Sequence, residues 1–398
     1  MSGTPLCDEL LKGVAVVIDD QINDSDSDIA KLIEDIEEKH IPCVKYSELP
    51  DISVIESFSD VPFIILDWKF DMEDGVSGSQ YQVEDNIDFI RHVRKNCFIP
   101  IFIFTNKNLN DLEEDLRSHN ATDFVGDSMI FLKNKSELIG GKLFDEIEEW
   151  LKSTPSAYVI KKWALGYKKA KISMFNDLYS KNKNWPSVFW KGYVTDSTNP
   201  SDELSEMLMK NLQGRFSNIE FDEEVINQHI PESCNGEDLH KVWEGAYFIP
   251  NDSLDENTVK PGDIFHVDGK YFINIKPECD CVIRTNDELE LYLIEGNLGD
   301  SNNIDSFLHY DKKDKDYTPN YNNESGHGCF GVCGNKDINF KFRSFTIRKW
   351  GEIKKSREGR LTQPFIGIIQ QKFASHIQRI GLPPLPHELS EYIYKKYK

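Results

Sequence analysis

No run of apolar residues in the sequence approaches the roughly 18–20 that a membrane span needs, and the first thirty residues carry acids where an export signal would be basic and apolar. The expectation is a cytoplasmic protein with no membrane partner. Cysteine is scarce, at eight in 398 residues, and follows no regular spacing. A disulfide scaffold is therefore excluded for a chain without an export signal, and the thiols are expected reduced or metal-bound. No Walker loop, helix-turn-helix or zinc-finger spacing occurs after Lys152, so a standard DNA-reading module is not expected there. No internal repeat is present.

The chain is too long for one ordinary core, and two or three domains of roughly 100–200 residues are expected. Hydrophobic residues at 39% and aromatics at 12% suffice for several cores and exclude global disorder. The net charge of −22 is uneven: Met1 to Lys152 holds 33 acids and 14 bases, whereas Lys341 to Lys398 holds 13 bases and 4 acids. The chain is a charge dipole, acidic at the front and basic at the end.

From Gly13, short apolar runs alternate with helical patterns. Val14–Ile18 precedes Ile29–Ile36, Phe63–Leu66 precedes Ile87–Arg94, Ile101–Phe104 precedes Leu109–His119, and Met129–Leu132 precedes Leu138–Leu151. With Val44–Tyr46 as a weaker second strand, this predicts five βα units. Continuous apolar strands imply a doubly wound parallel sheet covered on both faces, with its ligands at the carboxyl ends of the strands.

The expected domains are 11–152 for this α/β unit, 153–240 for a helical linker region, 241–350 for a β-rich, small barrel-like domain, and 351–398 for a basic helical tail. The β-like runs are Gly245–Pro250, Gly262–Val267, Lys270–Ile275 and Leu289–Ile294, with a hairpin signal at Asp268-Gly269. Asp300 to Lys336 is polar and reads as a long insertion or mobile loop before Phe340–Ile347.

Acids sit where the strands end: Asp19 and Asp20 after the first, Asp67 after the third. Like charges about 4 Å apart repel by about 4 kcal/mol at an effective dielectric near 20, so a cluster of three calls for a cation, and Mg²⁺ suits carboxylate oxygens. Thr105 and Lys133 end the fourth and fifth strands and would bring a hydroxyl and an ammonium to the same rim. Metal, hydroxyl and ammonium are what a transferred phosphoryl group needs around its oxygens.

In this order and at these strand ends, Asp19, Asp20, Asp67, Thr105 and Lys133 resemble the five signature positions of the response-regulator receiver domain, over about residues 11–152. The resemblance implies a self-phosphorylating domain rather than a conventional enzyme. Asp67 would be the phosphoacceptor, Asp19, Asp20 and Asp67 would hold Mg²⁺ with the backbone carbonyl of Lys69, Thr105 would be the hydroxyl switch, and Lys133 would pair with the phosphoryl group. The chain departs from the family pattern at Asn106, at Asn134 and in the placing of Phe131, and Thr105 lies 38 positions after Asp67.

In the second half, Cys279, Cys281, Cys329, Cys333 and His327 supply the ligand types of a tetrahedral Zn²⁺ site, though not at zinc-ribbon spacing; the alternative is that the thiols are small buried hydrophobes. Arg343, Arg348, Lys349, Lys354, Lys355, Arg357 and Arg360, interleaved with Phe345 and Trp350, suit either phosphate backbones or docking on an acidic protein surface, and the acidic first domain favours the second. The segments Pro261–Phe265, Pro277–Asp280 and Gln378–Pro383 look similar to C-terminal regions attached to atypical receivers in bacterial antiphage conflict systems.

The reading that follows is a phosphate-accepting regulator of a bacterial two-component pathway, with a histidine kinase as donor and an effector protein or homo-oligomer as partner, or with the protein as a phosphate sink. The alternatives are a phosphorylation-controlled effector that binds or cuts nucleic acid, and a degenerate receiver used as a scaffold.

Overall fold

A computed structural model describes residues 5–58, 61–68, 79–105, 109–195, 199–216, 219–227, 235–283, 288–299, 308–311, 316–319, 328–334, 336–378 and 386–398. The chain divides into two compact units, Met1–Lys183 with Leu208–Pro231, and Asn184–Met207 with Glu232–Lys398.

In the first unit the elements run α1 (Leu6–Leu10), β1 (Ala15–Ile18), α2 (Asp28–Glu38), β2 (Cys43–Tyr46), α3 (Ile52–Glu56), β3 (Ile64–Asp67), α4 (Ser79–Asn96), β4 (Ile101–Thr105), α5 (Leu109–Ser118), β5 (Ile130–Asn134), α6 (Lys135–Leu138), α7 (Leu143–Ser153) and α8 (Pro155–Lys181). All five strands are parallel, in the order β2-β1-β3-β4-β5. This is the doubly wound arrangement anticipated from the sequence.

Every residue of β1, β3 and β4 is buried, and side-chain alternation splits them between two cores. Ala15, Val17, Ile65, Phe102 and Phe104 meet Leu32 and Ile36 of α2 and Ile147 and Trp150 of α7. Val16, Ile18, Ile64, Leu66, Ile101 and Ile103 meet Ile87, Ile90 and Val93 of α4 and Leu112 and Leu116 of α5. Two-sided burial is why these strands read as unbroken apolar runs.

Helix α8 is fastened to the amino-terminal side of the same sheet. Its Lys161 ammonium donates to the carbonyl of Pro62 at 2.6 Å, two residues before β3, and its Tyr158 hydroxyl accepts from the Asp222 amide at 2.9 Å.

Further along come α9 (Trp185–Thr195), α10 (Pro200–Arg215), α11 (Glu223–Asn227), α12 (Gly236–Tyr247), β6 (Phe248–Pro250), β7 (Asp263–Val267), β8 (Lys270–Asn274), β9 (Glu290–Leu298), β10 (Leu308–Asp311), β11 (Asp316–Pro319), β12 (Gly328–Cys333), β13 (Lys336–Lys349), α13 (Trp350–Ile353), β14 (Arg357–Leu361), α14 (Phe365–Ile377) and α15 (His387–Tyr397). Seven of these strands form an antiparallel sheet in the order β12-β13-β9-β8-β7-β14-β6, and β10 pairs with β11.

The expected barrel is corrected to an open sheet. Closure requires the two terminal strands to share a ladder, and among the described residues β12 and β6 share none. Its two faces carry separate cores, one under Phe365, Ile366 and Ile369 of α14, the other under Trp350 and Ile353 of α13. Within the stretch read as a polar loop lie β10, β11 and β12, and β14 joins the sheet from within the stretch read as a tail.

Gly262 shows how tightly β14 is seated. Its φ is +92°, and a Cβ there would lie 2.1 Å from the Leu361 carbonyl oxygen, while its own carbonyl accepts from the Leu361 amide at 2.8 Å. Gly262→Ala is expected to destabilise the second unit by about 2 kcal/mol or more, combining backbone strain with steric overlap. Thermal denaturation followed by the second unit's hydrogen-exchange protection checks this, with protection of β1, β3 and β4 unchanged.

Candidate functional site

The strand order reverses beside β1, so the carboxyl ends of β1 and β3 open onto a crevice at the top of the first unit's sheet. Asp19 is the first residue beyond β1. One of its carboxylate oxygens accepts from the Gln21 amide at 2.9 Å, capping the short 3₁₀ turn Asp20–Asn23. The other accepts from the Lys135 ammonium at 2.6 Å.

Asp67 is the last residue of β3, and its Oδ2 lies 3.1 Å from the same ammonium. Asp20 completes the group: ligand oxygens of Asp19, Asp20 and Asp67 all lie within 4.8 Å of one another. Thr105 ends β4 and is buried, one position beyond Phe104, the ladder partner of Asp67.

Among the described residues, the Lys135 ammonium lies against two of these carboxylates, Asp19 and Asp67, in a buried setting. Burial pushes the Asp67 carboxyl up to about 7; Lys135 opposes that rise, and Asp19 and Asp20 add to it. For Lys135, burial acts against the charged form, but Asp67 and Asp19 outweigh it and hold the ammonium above its ordinary value. The donor set, all hard carboxylate oxygens within 4.8 Å of one another, fits a divalent cation.

The lysine at this site is Lys135, and the sequence pointed instead to Lys133. Lys133 still belongs to β5, laddered opposite Phe104, and its ammonium lies 2.8 Å from Glu146 of α7. The strand runs on to Asn134, whose side chain accepts from the Ser136 amide at 3.0 Å and so starts α6. Lys135 is the first residue past the ladder and is fully buried, so its side chain can cross the top of the sheet. The legible signal was Asn134 with Glu137 three residues later, the spacing of an N-cap and its reciprocal acid at a helix start. Lys69 and Asn106 lie outside the described residues.

The zinc ligands do not converge. Cys281 is buried in the core under α13, whereas Cys333 is buried in the core under α14 on the other face of the sheet, and Cys279 is exposed. His327 and the side chain of Cys329 lie outside the described residues. Among the described residues, the acidic trio of the first unit is the one group of three or more metal-ligating side chains.

Two of the arginines considered for phosphate contact are structural. Arg357 is buried, its Nε donating to Asn251 at 2.7 Å and its Nη2 to the Asp255 carbonyl at 2.8 Å. Arg360 donates to both oxygens of the fully buried Asp263, at 2.5 and 3.2 Å. Trp350 is likewise buried.

No family model matches the chain, and no curated protein matches it.

Two outcomes follow from this geometry. Asp67 binds its proton more tightly folded than unfolded, so its contribution to stability is complete at low pH and lost as pH rises from about 4 through about 7. Relative to the wild type, metal-free Asp67→Asn should therefore gain about 2–4 kcal/mol between pH 4 and pH 8, taking 1.36 kcal/mol per pKa unit as the upper scale. Chemical denaturation across that range reads the difference. Arg360→Ala removes two hydrogen bonds to the buried Asp263, which keeps Arg357 at 3.5 Å and the Lys260 amide at 3.0 Å, and should cost about 1.5–3 kcal/mol of stability, seen as a lower melting temperature of the second unit.

Proposed function

We propose that the first unit is a receiver domain that accepts a phosphoryl group on Asp67 in a two-component pathway. What supports this reading is one juxtaposition: Asp19, Asp20, Asp67, Thr105 and Lys135 all stand at carboxyl ends of a 2-1-3-4-5 parallel sheet, with Lys135 bridging two of the acids.

An oxygen of the Asp67 carboxylate attacks the phosphorus of a phosphohistidine on the donor kinase. The new O–P bond forms as the P–N bond breaks, and the electron pair leaves with the imidazole, which keeps or gains its proton. The nucleophile must be ionised for this, and the Lys135 ammonium at 3.1 Å favours that form against the cost of burial. Asp19, Asp20 and Asp67 would hold Mg²⁺, which when bound neutralises charge on the phosphoryl oxygens. Lys135 adds a fixed positive donor, and the Thr105 hydroxyl caps the crevice from β4.

The second unit is assigned a protein-contact role, either reading out Asp67 or leaving the protein a phosphate sink. The likeness of its segments to regions beside atypical receivers is the reason for assigning the pathway to antiphage defence. A nucleic-acid effector is less favoured, because Arg357 is buried and the partly buried Arg360 is committed to Asp263.

Intact-mass analysis after acetyl phosphate and Mg²⁺ tests the assignment. One phosphoryl adduct on the wild type and none on Asp67→Asn supports it; no adduct from either acetyl phosphate or a panel of phosphorylated histidine kinases would sink it. Lys135→Ala should slow adduct formation by about 100-fold, the scale of losing one preorganised donor, while Lys133→Ala should leave the rate unchanged.

A further inference from the structure

On helix α4, position 86 belongs to the buried face. Val83, Ile87 and Ile90 around it all pack into the core that also holds Trp68, the residue directly after Asp67. An apolar side chain is what this spacing calls for, and the sequence has asparagine. Asn86 is 0% exposed. Its Nδ2 donates to the Trp68 carbonyl at 2.8 Å, and among the described residues its Oδ1 has no hydrogen-bond partner.

An unsatisfied buried amide oxygen is costly, and a leucine of the same shape would remove that cost. The asparagine therefore brings something other than packing. The bond it makes falls on the first carbonyl beyond the nucleophile, that of Trp68, and fixes its direction. Rotation of that carbonyl would swing the end of β3, and with it the Asp67 carboxylate relative to Asp19 and Lys135.

We infer that Asn86 is a positioning residue: through the Trp68 carbonyl it holds the end of β3 in the orientation at which Asp67 meets its metal and its phosphoryl donor. The inference rests on the receiver reading for the phosphoryl part and on the acidic trio alone for the metal part. It also ties α4 by a polar contact to the residue directly after Asp67, so a change at Asp67 reaches α4 through one hydrogen bond.

The test compares wild type, Asn86→Leu and Asn86→Gln, the last keeping an amide donor, with Asn86→Ala replacing leucine if that variant does not fold. Three quantities are measured well below the melting temperature: the Mg²⁺ dissociation constant, the rate of adduct formation from acetyl phosphate at saturating Mg²⁺, and the melting temperature itself. Asn86→Leu should lose about tenfold or more in rate, the scale of a small misplacement of reacting groups, and should weaken Mg²⁺ binding severalfold. Asn86→Gln should recover part of both.

A merely structural anchor would move the melting temperature and leave the rate of the folded protein alone, and that result overturns the inference. If the wild type binds Mg²⁺ but takes no phosphate, the receiver reading falls, while weaker Mg²⁺ binding by Asn86→Leu still upholds the positioning role. If the wild type does neither, both fall.

Discussion

The first unit turns on a single buried ammonium. Lys135 sits within hydrogen-bonding distance of Asp19 at 2.6 Å and Asp67 at 3.1 Å, and without it both of these buried carboxylates would lose their shared ammonium. Removing one member of a buried pair leaves the other uncompensated, a cost of about 3–5 kcal/mol. The contact also joins β1, β3 and the start of α6 at their common end. Together with Asp20, the same two acids form the group whose oxygens lie close enough together to hold a metal ion.

Much of the first unit was legible because its strands are buried on both faces. β1, β3 and β4 are apolar without interruption until their last residues, and a carboxylate or hydroxyl right after such a run marks the rim. That logic located Asp19, Asp20, Asp67 and Thr105. It failed at β5, whose burial fades after Ile130. There Lys133 and Lys135 flank Asn134, and the choice between them depends on where the ladder stops, a property of the neighbouring strand and not of the local pattern.

The second unit was less legible for a related reason. β14 reads Arg-Glu-Gly-Arg-Leu, a charged stretch that resembles surface. Its Arg360 is held inside by Asp263, 97 positions earlier, and no local window carries that pairing. Charge was read as solvent exposure, when here it is partnered burial. The cysteines illustrate the converse: Cys281 and Cys333 are close enough in sequence to other thiols to suggest a ligand set, but the sheet passes between them.

The grip of Lys161 on the Pro62 carbonyl has a mechanical meaning. Pro62 and Asp67 stand at opposite ends of one extended segment spanning about 17 Å at 3.3 Å per residue. That segment is sheathed by β1 and β4 and cannot buckle sideways without breaking two ladders. The long helix α8 is thus fastened to the far end of a stiff rod whose near end bears the Asp67 carboxylate, so an axial tug at one end is transmitted to the other with little slack.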